Sequence, residues 1–300
     1  MQINHPDKGN RLTEPADTVI IIPSLNSPLI DRVVAAINQQ EQIGRIAEIV
    51  VVGKDEAGLL TTSERVRLLD TGEPVLPGTA RNLGIQATTA ALLIFLDSDC
   101  IPQPGWLAAH LAAHAAGYLI VGGSILPQGE NYWALSYNLS MFHEYLSGRP
   151  SEPRSLLPTL NLSVARRVID KVGLLNEALP RSQDMEWTTR MKAAGFQPYF
   201  WPTAVVDHQH NRLTRQQVWQ DCLRSGRYAR QVRLEYGRTL QTPYLLRFRR
   251  TLRLLAPLVA GVVTMQVVCQ QPTLFRRHWT TLPAVYLTKL AWCWGASQTV

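Results

Sequence analysis

The 300-residue chain is long enough for one large α/β domain with an appendage, and its 46% apolar share is that of an ordinary globular protein. Its net charge of +7 favours partners that carry phosphate: nucleotides, nucleic acid or anionic lipid. The four cysteines, Cys100, Cys222, Cys269 and Cys293, include no CxxC pair and no zinc-finger spacing, which speaks against a disulfide framework and for a reducing interior.

Residues 1–17 are polar, broken by Pro6 and Pro15, and lack the apolar segment of a signal peptide, so they read as a loose tail. Thr18-Val-Ile-Ile-Ile-Pro23 is a β-branched run of the kind buried on both faces of a parallel sheet. A turn over 24–28 leads to helical spacing at Leu29, Val33, Ala36 and Ile37, and the next strands fall at 46–52 and 66–69. Helix is expected over 79–89, strand over 91–96, helix over 102–116 and strand over 118–125. A Trp/Tyr-rich helix (131–147), a loop (148–158) and helices at 164–171 and 184–194 follow, the last with Gly195 at its C′ position. Residues 196–206 are extended. Residues 212–253 are dense in arginine, and two apolar stretches, 254–268 and 282–296, close the chain.

Strands alternating with helices imply a doubly wound, mostly parallel α/β sheet whose ligands bind beyond the C-terminal strand ends. The segments after Ile22, Val52 and Leu96 then line one crevice. In that crevice Asp97 and Asp99 follow the most hydrophobic strand. Two carboxylates projecting together repel unless a cation lies between them, and a divalent metal bridging a diphosphate needs such hard oxygen donors. The plain alternative is a turn with a helix cap.

The order of segments resembles the family-2 glycosyltransferases of the GT-A fold over roughly residues 18–235. The matching pieces are Ile20-Ile-Ile-Pro-Ser-Leu-Asn26, Glu48–Val52, Pro77-Gly-Thr-Ala-Arg-Asn-Leu-Gly-Ile85, Phe95-Leu-Asp-Ser-Asp99, Leu160-Asn-Leu-Ser163 with Val172–Leu175, Gln183-Asp184 with Arg190 and Gly195, and His208 and His210. The resemblance implies inverting hexosyl transfer from a UDP- or GDP-sugar with Mg2+ or Mn2+. On that basis Asp97 and Asp99 look like the family's DxD, touching donor ribose and metal, with Asp99 the firmer metal ligand and Ser98 between them also on the donor. His208 looks like the histidine that approaches the metal or diphosphate, and Asp184 stands at the place of the catalytic base. Pro23, Ser24 and Asn26 resemble the loop beside the nucleobase. Where family members often carry paired aspartates, this chain has Gly53-Lys54 with Asp55 next, so Asp55 is a shifted candidate for reading the base. The family's Glu-Asp is Gln183-Asp184 here.

Other residues have competing roles. Glu186 is a rival base but lies four residues before Arg190, an arrangement suited to a surface ion pair. Ser182 is placed to cap the helix that Asp184 opens. Arg81 and Asn82 either contact nucleotide or serve as helix caps and surface pairs. His208, His210 and Asp207 also have the makings of a zinc site, without a nearby fourth ligand.

The organisation expected is a tail (1–17), a nucleotide-sugar-binding half (18–125), an acceptor-binding and catalytic half (126–240) and a basic, apolar helical tail (241–300). The stretch 254–268 is shorter than a membrane span, is interrupted by Pro257 and Gly261, and follows Arg247, Arg249, Arg250 and Arg253. The second stretch carries Lys289, Trp292 and Trp294. Short helices with such flanks suit interfacial or re-entrant association with the anionic cytoplasmic membrane face, near a glycan or lipid-linked acceptor. The alternatives are a degenerate nucleotide-sugar binder and a basic nucleic-acid-binding protein. Nucleic acid is disfavoured because the arginines lie beside apolar helices rather than aromatic stacking platforms, and a dinucleotide oxidoreductase is excluded for want of GxGxxG.

Overall fold

A computed structural model describes residues 17–129 and 131–299. Up to residue 16, the expected N-terminal tail lies outside the described residues. In chain order the elements are β1 (Thr18–Leu25), α1 (Ile30–Asn38), β2 (Ile46–Lys54), β3 (Val66–Asp70), α2 (Pro77–Gln86), β4 (Leu92–Leu96), β5 (Cys100–Pro102), α3 (Trp106–Ala115), β6 (Ile120–Ile125), α4 (Tyr132–Met141), β7 (Glu152–Pro153), β8 (Asn161–Ala165), α5 (Arg166–Val172), α6 (Gln183–Ala193), β9 (Tyr199–His208), α7 (Arg215–Glu235), α8 (Arg249–Gln270), α9 (Pro272–Arg277) and α10 (Leu282–Ala296).

The described residues form two compact units, one of residues 17–126 with 147–208 and the other of 127–129 and 131–146 with 209–299. The first holds a sheet of order β3-β2-β1-β4-β8-β6-β9-β5, with β7 paired to β9. β3, β2, β1 and β4 run parallel, as their β-branched runs require. Ile20, Ile21, Ile22, Val50, Val51, Val52 and the whole of Leu92–Leu96 have no exposed surface. β8 is antiparallel to both β4 and β6, and β6 pairs in parallel with β9. Helix α1 buries Ile30, Val33, Val34 and Ile37, the spacing of one helical face. Pro77 sits in the first turn of α2, where its missing N–H costs nothing. At the end of α6, Gly195 at φ 93° accompanies the bonds Phe196 N–H to Met191 O (3.1 Å) and Gly195 N–H to Lys192 O (3.0 Å), a Schellman ending as its position predicted.

Several elements depart from expectation. The strands β5 and β8 occupy positions not read as strand, and the helix expected from 102 begins at Trp106. The Trp/Tyr-rich helix ends at Met141, and the arginine-rich segment contains the 21-residue α7, opened by a Thr214–Gln217 capping box. Helix α8 runs unbroken for 22 residues through Pro257 and Gly261. Leu252, Ala256, Ala260 and Val267 are buried on the side of α8 that meets α10, on both sides of the proline, so packing offsets the lost backbone bond.

The second unit is helical. Helix α10 packs against α7, α8 and α4. An added Cβ at Gly226 would come within 2.0 Å of the Trp292 carbonyl oxygen, and one at Gly295 within 2.0 Å of the Leu223 carbonyl oxygen. Only glycine lets α7 and α10 approach this closely. Lys289 does not flank an exposed anchor. Its Nζ donates to the Ser140 carbonyl at 2.7 Å, and burial lowers its pKa to about 8. Helix α10 is therefore the centre of this unit, and α8 presents an exposed apolar face of Leu254, Leu258, Val262 and Met265.

Beneath the sheet of the first unit, α3 contributes a buried polar cluster. Trp106 Nε1 donates to Asn161 Oδ1 (2.8 Å), which also lies 2.9 Å from His110 Nε2. His110 Nδ1 and His114 Nε2 contact Ser163 Oγ at 2.9 and 2.7 Å. Burial lowers the pKa of His110 to about 4 and that of His114 to about 3, the nearby His110 adding to the second shift. Both folded values lie below the ordinary 6.5, so the unfolded chain binds more protons between. The stability from these neutral rings is full above about pH 6.5 and is lost as pH falls towards 3. We expect a loss of about 2–3 kcal/mol per histidine by about pH 4.5. Urea unfolding at neutral and acidic pH checks this: a His110→Gln/His114→Gln chain should lose most of that dependence, although weaker at neutral pH.

Candidate active site

At the C-terminal end of β4 the chain turns through Asp97-Ser98-Asp99. Asp97 N–H donates to the Leu160 carbonyl (3.1 Å), Cys100 N–H closes the turn on Asp97 O (3.0 Å), and Ser27 Oγ donates to Ser98 O (2.8 Å). The antiparallel pairing of Cys100 with His208 then brings the β9 histidine beside the turn. His208 Nε2 lies 3.7 Å from Asp99 Oδ2.

Asp97 Oδ1 accepts from Arg81 Nη2 at 2.5 Å, so Arg81 is partnered to the acidic turn rather than to the surface. Burial raises the Asp97 pKa above the ordinary carboxylate range, Arg81 opposes the rise, Asp99 adds to it, and His208 lowers it.

A cavity of about 270 Å³ opens above the turn, between the ends of β1, β2 and β4 and the start of α2. Of the residues singled out from sequence, Pro23, Ser24, Arg81, Asp97, Ser98 and Asp99 line it. Two of its polar atoms, Ser24 Oγ and Arg81 Nε, are buried without a hydrogen-bond partner. Gly53 stands at φ 136°, and a Cβ there would lie 1.9 Å from Ser24 O, so this glycine is what lets β1 and β2 end side by side.

Asn26, Asp55 and Asn82 do not line the cavity. Asn26, at φ 52°, joins its loop to the next through Glu56 N–H (2.8 Å) and Glu56 Oε2 (3.1 Å). Asp55 accepts from Leu59 N–H (3.1 Å) and Leu60 N–H (2.7 Å) and shapes its own loop. Asn82 is buried and bonds both backbone groups of Leu175, with Glu177 Oε1 at 2.7 Å, fixing the segment before α6.

Asp184 lies in the first turn of α6, its Oδ1 accepting from Met185 N–H at 2.8 Å. Ser182 occupies the cap position but stands at φ 64° and makes no side-chain cap, contrary to expectation. A Cβ at Gly78 would lie 3.2 Å from Gln183 Cγ, so α6 starts against the first turn of α2, whose next residues line the cavity. The Gln183 Nε2 is buried and unpartnered. Glu186 is buried rather than at the surface, and forks onto Arg190 at 2.8 and 3.0 Å. Arg190 also donates to Val172 O and Leu174 O (2.5 and 2.7 Å). Glu186 is thus committed to structure.

Among the described residues, Asp99, Cys100 and His208 form the one group of three side chains able to converge on a metal, their donor atoms within 4.8 Å of one another. Burial, and then the charges of Asp99 and Asp97, push the Cys100 thiol well above its usual range. Asp99 and His208 offer a carboxylate and an imidazole, with Asp97 adjacent, and the carboxylates suit a hard divalent cation. His210 serves elsewhere: its Nδ1 accepts from Arg212 N–H (3.1 Å) and its ring meets Tyr137 edge-on at 4.8 Å. Cys100 was not singled out from sequence, and only its adjacency to Asp99 pointed to it; Gln183 was marked there only as standing in place of the family's glutamate.

Residues 19–171, just over half of the chain, match the family model for Glycosyl transferase family 2. Glycosyltransferase AglE of Haloferax volcanii is 30% identical over 118 residues, 39% of this chain and 39% of that protein. The pre-mycofactocin glycosyltransferase of Mycobacterium tuberculosis is 29% identical over 146 residues, 46% of this chain and 31% of that one. The match thus spans less than half the length of either relative. Among solved structures, GalNAc-T7 with UDP, GalNAc and Mn2+ gives a TM-score of 0.55 at 16% identity, covering 78% of this chain and 51% of that one. The mannosyltransferase PcManGT of Pyrobaculum calidifontis, in complex with GDP-Man and Mn2+, gives 0.54 at 16%, covering 95% and 87%. At these identities the likeness is one of fold: a mixed α/β arrangement, GT-A-like, with helices flanking a central sheet.

The two neighbouring carboxylates of α6 should separate in a stability measurement. Replacing Glu186 with Ala removes both carboxylate bonds of Arg190, which is partly exposed and keeps its bonds to Val172 O and Leu174 O, and should cost about 1.5–3 kcal/mol. Asp184→Ala, which removes only a first-turn carboxylate, should cost about 1 kcal/mol or less. Denaturant unfolding of the two variants checks this.

Proposed function

The chain belongs to glycosyl transferase family 2, and on that footing we propose that it transfers a hexosyl group from a nucleoside diphosphate sugar to a hydroxyl acceptor, with inversion at the anomeric carbon. The observation that carries the reading is the pairing of an acidic turn with unpartnered polar atoms around one cavity. Asp97 and Asp99 stand at its base, and Ser24 Oγ and Arg81 Nε lie buried in it without a bond. A buried polar atom left unpaired is costly, and the hydroxyls and phosphates of a nucleotide supply what these atoms lack.

Mg2+ or Mn2+ is held by Asp99 and His208, with Asp97 bonded to Arg81 and turned to the donor. When bound, the ion offsets the negative charge that builds on the departing diphosphate. The neighbours of like fold crystallised with Mn2+ and with UDP or GDP-Man support this choice of ligands. The lining residues Pro23, Ser24 and Ser98 hold the nucleoside side. Asn26, Asp55 and Asn82 act one step back, by fixing the loops around it.

Asp184 is the base. The acceptor oxygen forms its bond to the anomeric carbon as the bond from that carbon to the phosphate oxygen breaks, and the acceptor proton passes to the Asp184 carboxylate. Two features support the assignment: Glu186, its rival, is locked to Arg190, and the contact of Gln183 with Gly78 sets the start of α6 beside the cavity-lining turn of α2.

The acceptor is a lipid-linked or glycan hydroxyl presented at the cytoplasmic membrane face. Support comes from α8, a 22-residue helix of mean hydropathy 1.9 in its most apolar window and 22% buried there, which by length and composition is able to cross a bilayer. Because one side of α8 is packed on α10, it lies along the membrane surface.

Calorimetric titration of UDP and of GDP in the presence of Mn2+ tests the donor site. One nucleotide should bind, and Asp99→Ala should weaken it by at least about tenfold. Asp184→Asn should retain that affinity while turnover falls by about 10²–10⁴-fold. The reading fails if neither nucleotide binds with Mn2+ or Mg2+.

A further inference from the structure

The positive charge of this protein is concentrated at one end. Residues 236–300 hold seven arginines and one lysine and no aspartate or glutamate, whereas the first 235 residues carry 22 Lys and Arg against 23 Asp and Glu. Lys289 is turned inward to Ser140, so the free charge is that of the arginines. Arg247, Arg249, Arg250 and Arg253 line one cavity of about 560 Å³ around the first turn of α8. Among the described residues none of the four is ion-paired with a carboxylate. Helix α8 has no acidic residue in its first turn and no side-chain cap.

The cavity adjoins an apolar stripe. Leu254, Leu258, Val262 and Met265 are 79%, 69%, 59% and 63% exposed. At about 100° per residue they fall within roughly 80° of arc, and Arg250 precedes Leu254 by about 40° on the same side. Tyr244 and Phe248 are exposed beside the arginines and meet edge to face at 5.0 Å, Tyr244 also lying under Arg247 at 5.4 Å. Exposed aromatics, guanidinium groups without a carboxylate partner among the described residues and a continuous apolar stripe in sequence along one helix match the layers of a bilayer surface, from headgroup to acyl chain.

We propose that the arginine cavity at the start of α8 binds the phosphate of an anionic lipid headgroup, and so seats the apolar stripe of α8 in the bilayer surface. This rests on the membrane-surface part of the proposed function and not on the donor site. Planar guanidinium groups fork onto phosphate oxygens, and a headgroup phosphate gives the arginines of this cavity the anionic partner that no carboxylate among the described residues gives them; Arg249 Nε already donates to Ser297 O (3.0 Å), which leaves Arg247, Arg250 and Arg253 to reach it. The neighbouring cavity lined by Arg233, Arg238 and Arg247 also holds Glu235, so the carboxylate-free cavity is the one at the start of α8.

The test is co-sedimentation of the full chain with phosphatidylcholine vesicles made with and without phosphatidylglycerol. The wild type should bind the anionic vesicles, and the Arg247→Gln/Arg250→Gln/Arg253→Gln variant should bind them on the order of 100-fold more weakly while matching it on neutral vesicles. Leu258→Ser/Met265→Ser should weaken binding to both. Undiminished binding of the arginine variant to anionic vesicles overturns the proposal. So does calorimetric binding of inorganic phosphate as tight as binding to the vesicles, which would make the cavity a site for the free ion. Titration of the same variants with UDP or GDP and Mn2+ separates this result from the donor reading: intact nucleotide binding alongside lost or absent lipid selectivity concerns α8 alone. All the substituted side chains are exposed, so an unchanged thermal midpoint should accompany each variant.

Discussion

Two carboxylates held at the end of a strand that is buried on both faces are the constraint from which the first unit follows. Leu92–Leu96 has no solvent contact, and Asp97 stands directly at its end. Burial there disfavours the charged carboxylate, as the raised Asp97 pKa expresses. The fold answers with Arg81 from α2 at 2.5 Å, and the β5–β9 pairing brings the His208 ring beside the turn. A second carboxylate two residues on increases the demand for positive charge, and Asp99 has His208 at 3.7 Å. The site thus has a use for a cation before any donor is considered, and a diphosphate is a ligand that can share one.

The turn carrying these charges is rigid because of what lies beneath it. Asn161 pairs with Leu96 across the β4–β8 ladder, and its side chain gathers Trp106, His110 and the carbonyls of Ser124 and Ala204. Leu160, one residue earlier, receives the Asp97 N–H. A fully bonded buried network of this kind specifies one register, since a slip of β8 by one residue would carry Asn161 to the opposite face and leave several partners unpaired. The position of the acidic turn is therefore set from α3, β6 and β9 as well as from β4.

What could be read from sequence depended on how far each element advertises its own periodicity. The runs at 18–23, 46–52 and 91–96 are apolar throughout and announce buried parallel strands, and the acidic pair after Leu96 announces a site. β8 was hidden because Asn161 and Ser163, the residues that bond the histidines of α3, interrupt its apolar run, and the helical spacing of α5 follows at once. β5, three residues long, has no pattern of its own and exists because β9 pairs with it. In α7 the buried face is largely Cys222, Ser225, Gly226 and Ala229, small residues needed for the approach of α10, so no hydrophobic stripe marks the helix. Glu186 with Arg190 was legible because an i,i+4 pair is a local rule. The roles of Asp55, Asn82 and Ser182 were not, because each is decided by a loop conformation that no spacing encodes.

The same distinction bears on α8, whose length and hydropathy alone would make it a spanning helix. At about 1.5 Å per residue its 22 residues reach about 33 Å, enough for a hydrocarbon core of about 30 Å. Its two sides are not alike, however. Leu252, Ala256, Ala260 and Val267 are buried on the side facing α10, while Leu254, Leu258, Val262 and Met265 are open. A helix surrounded by lipid has no need of such a division, and to enter the bilayer alone α8 would have to leave α10. Helix α10 is in turn joined to α7 through Gly226 and Gly295 and to α4 through Lys289 and Ser140. Moving α8 into lipid while α10 stays would expose that packed face of α10, and moving both would carry Lys289 and the polar Ser140–Thr288 contact with them. The arrangement that keeps every one of these contacts is a helix lying along the interface, with only its open stripe in the acyl region and its arginines at headgroup level.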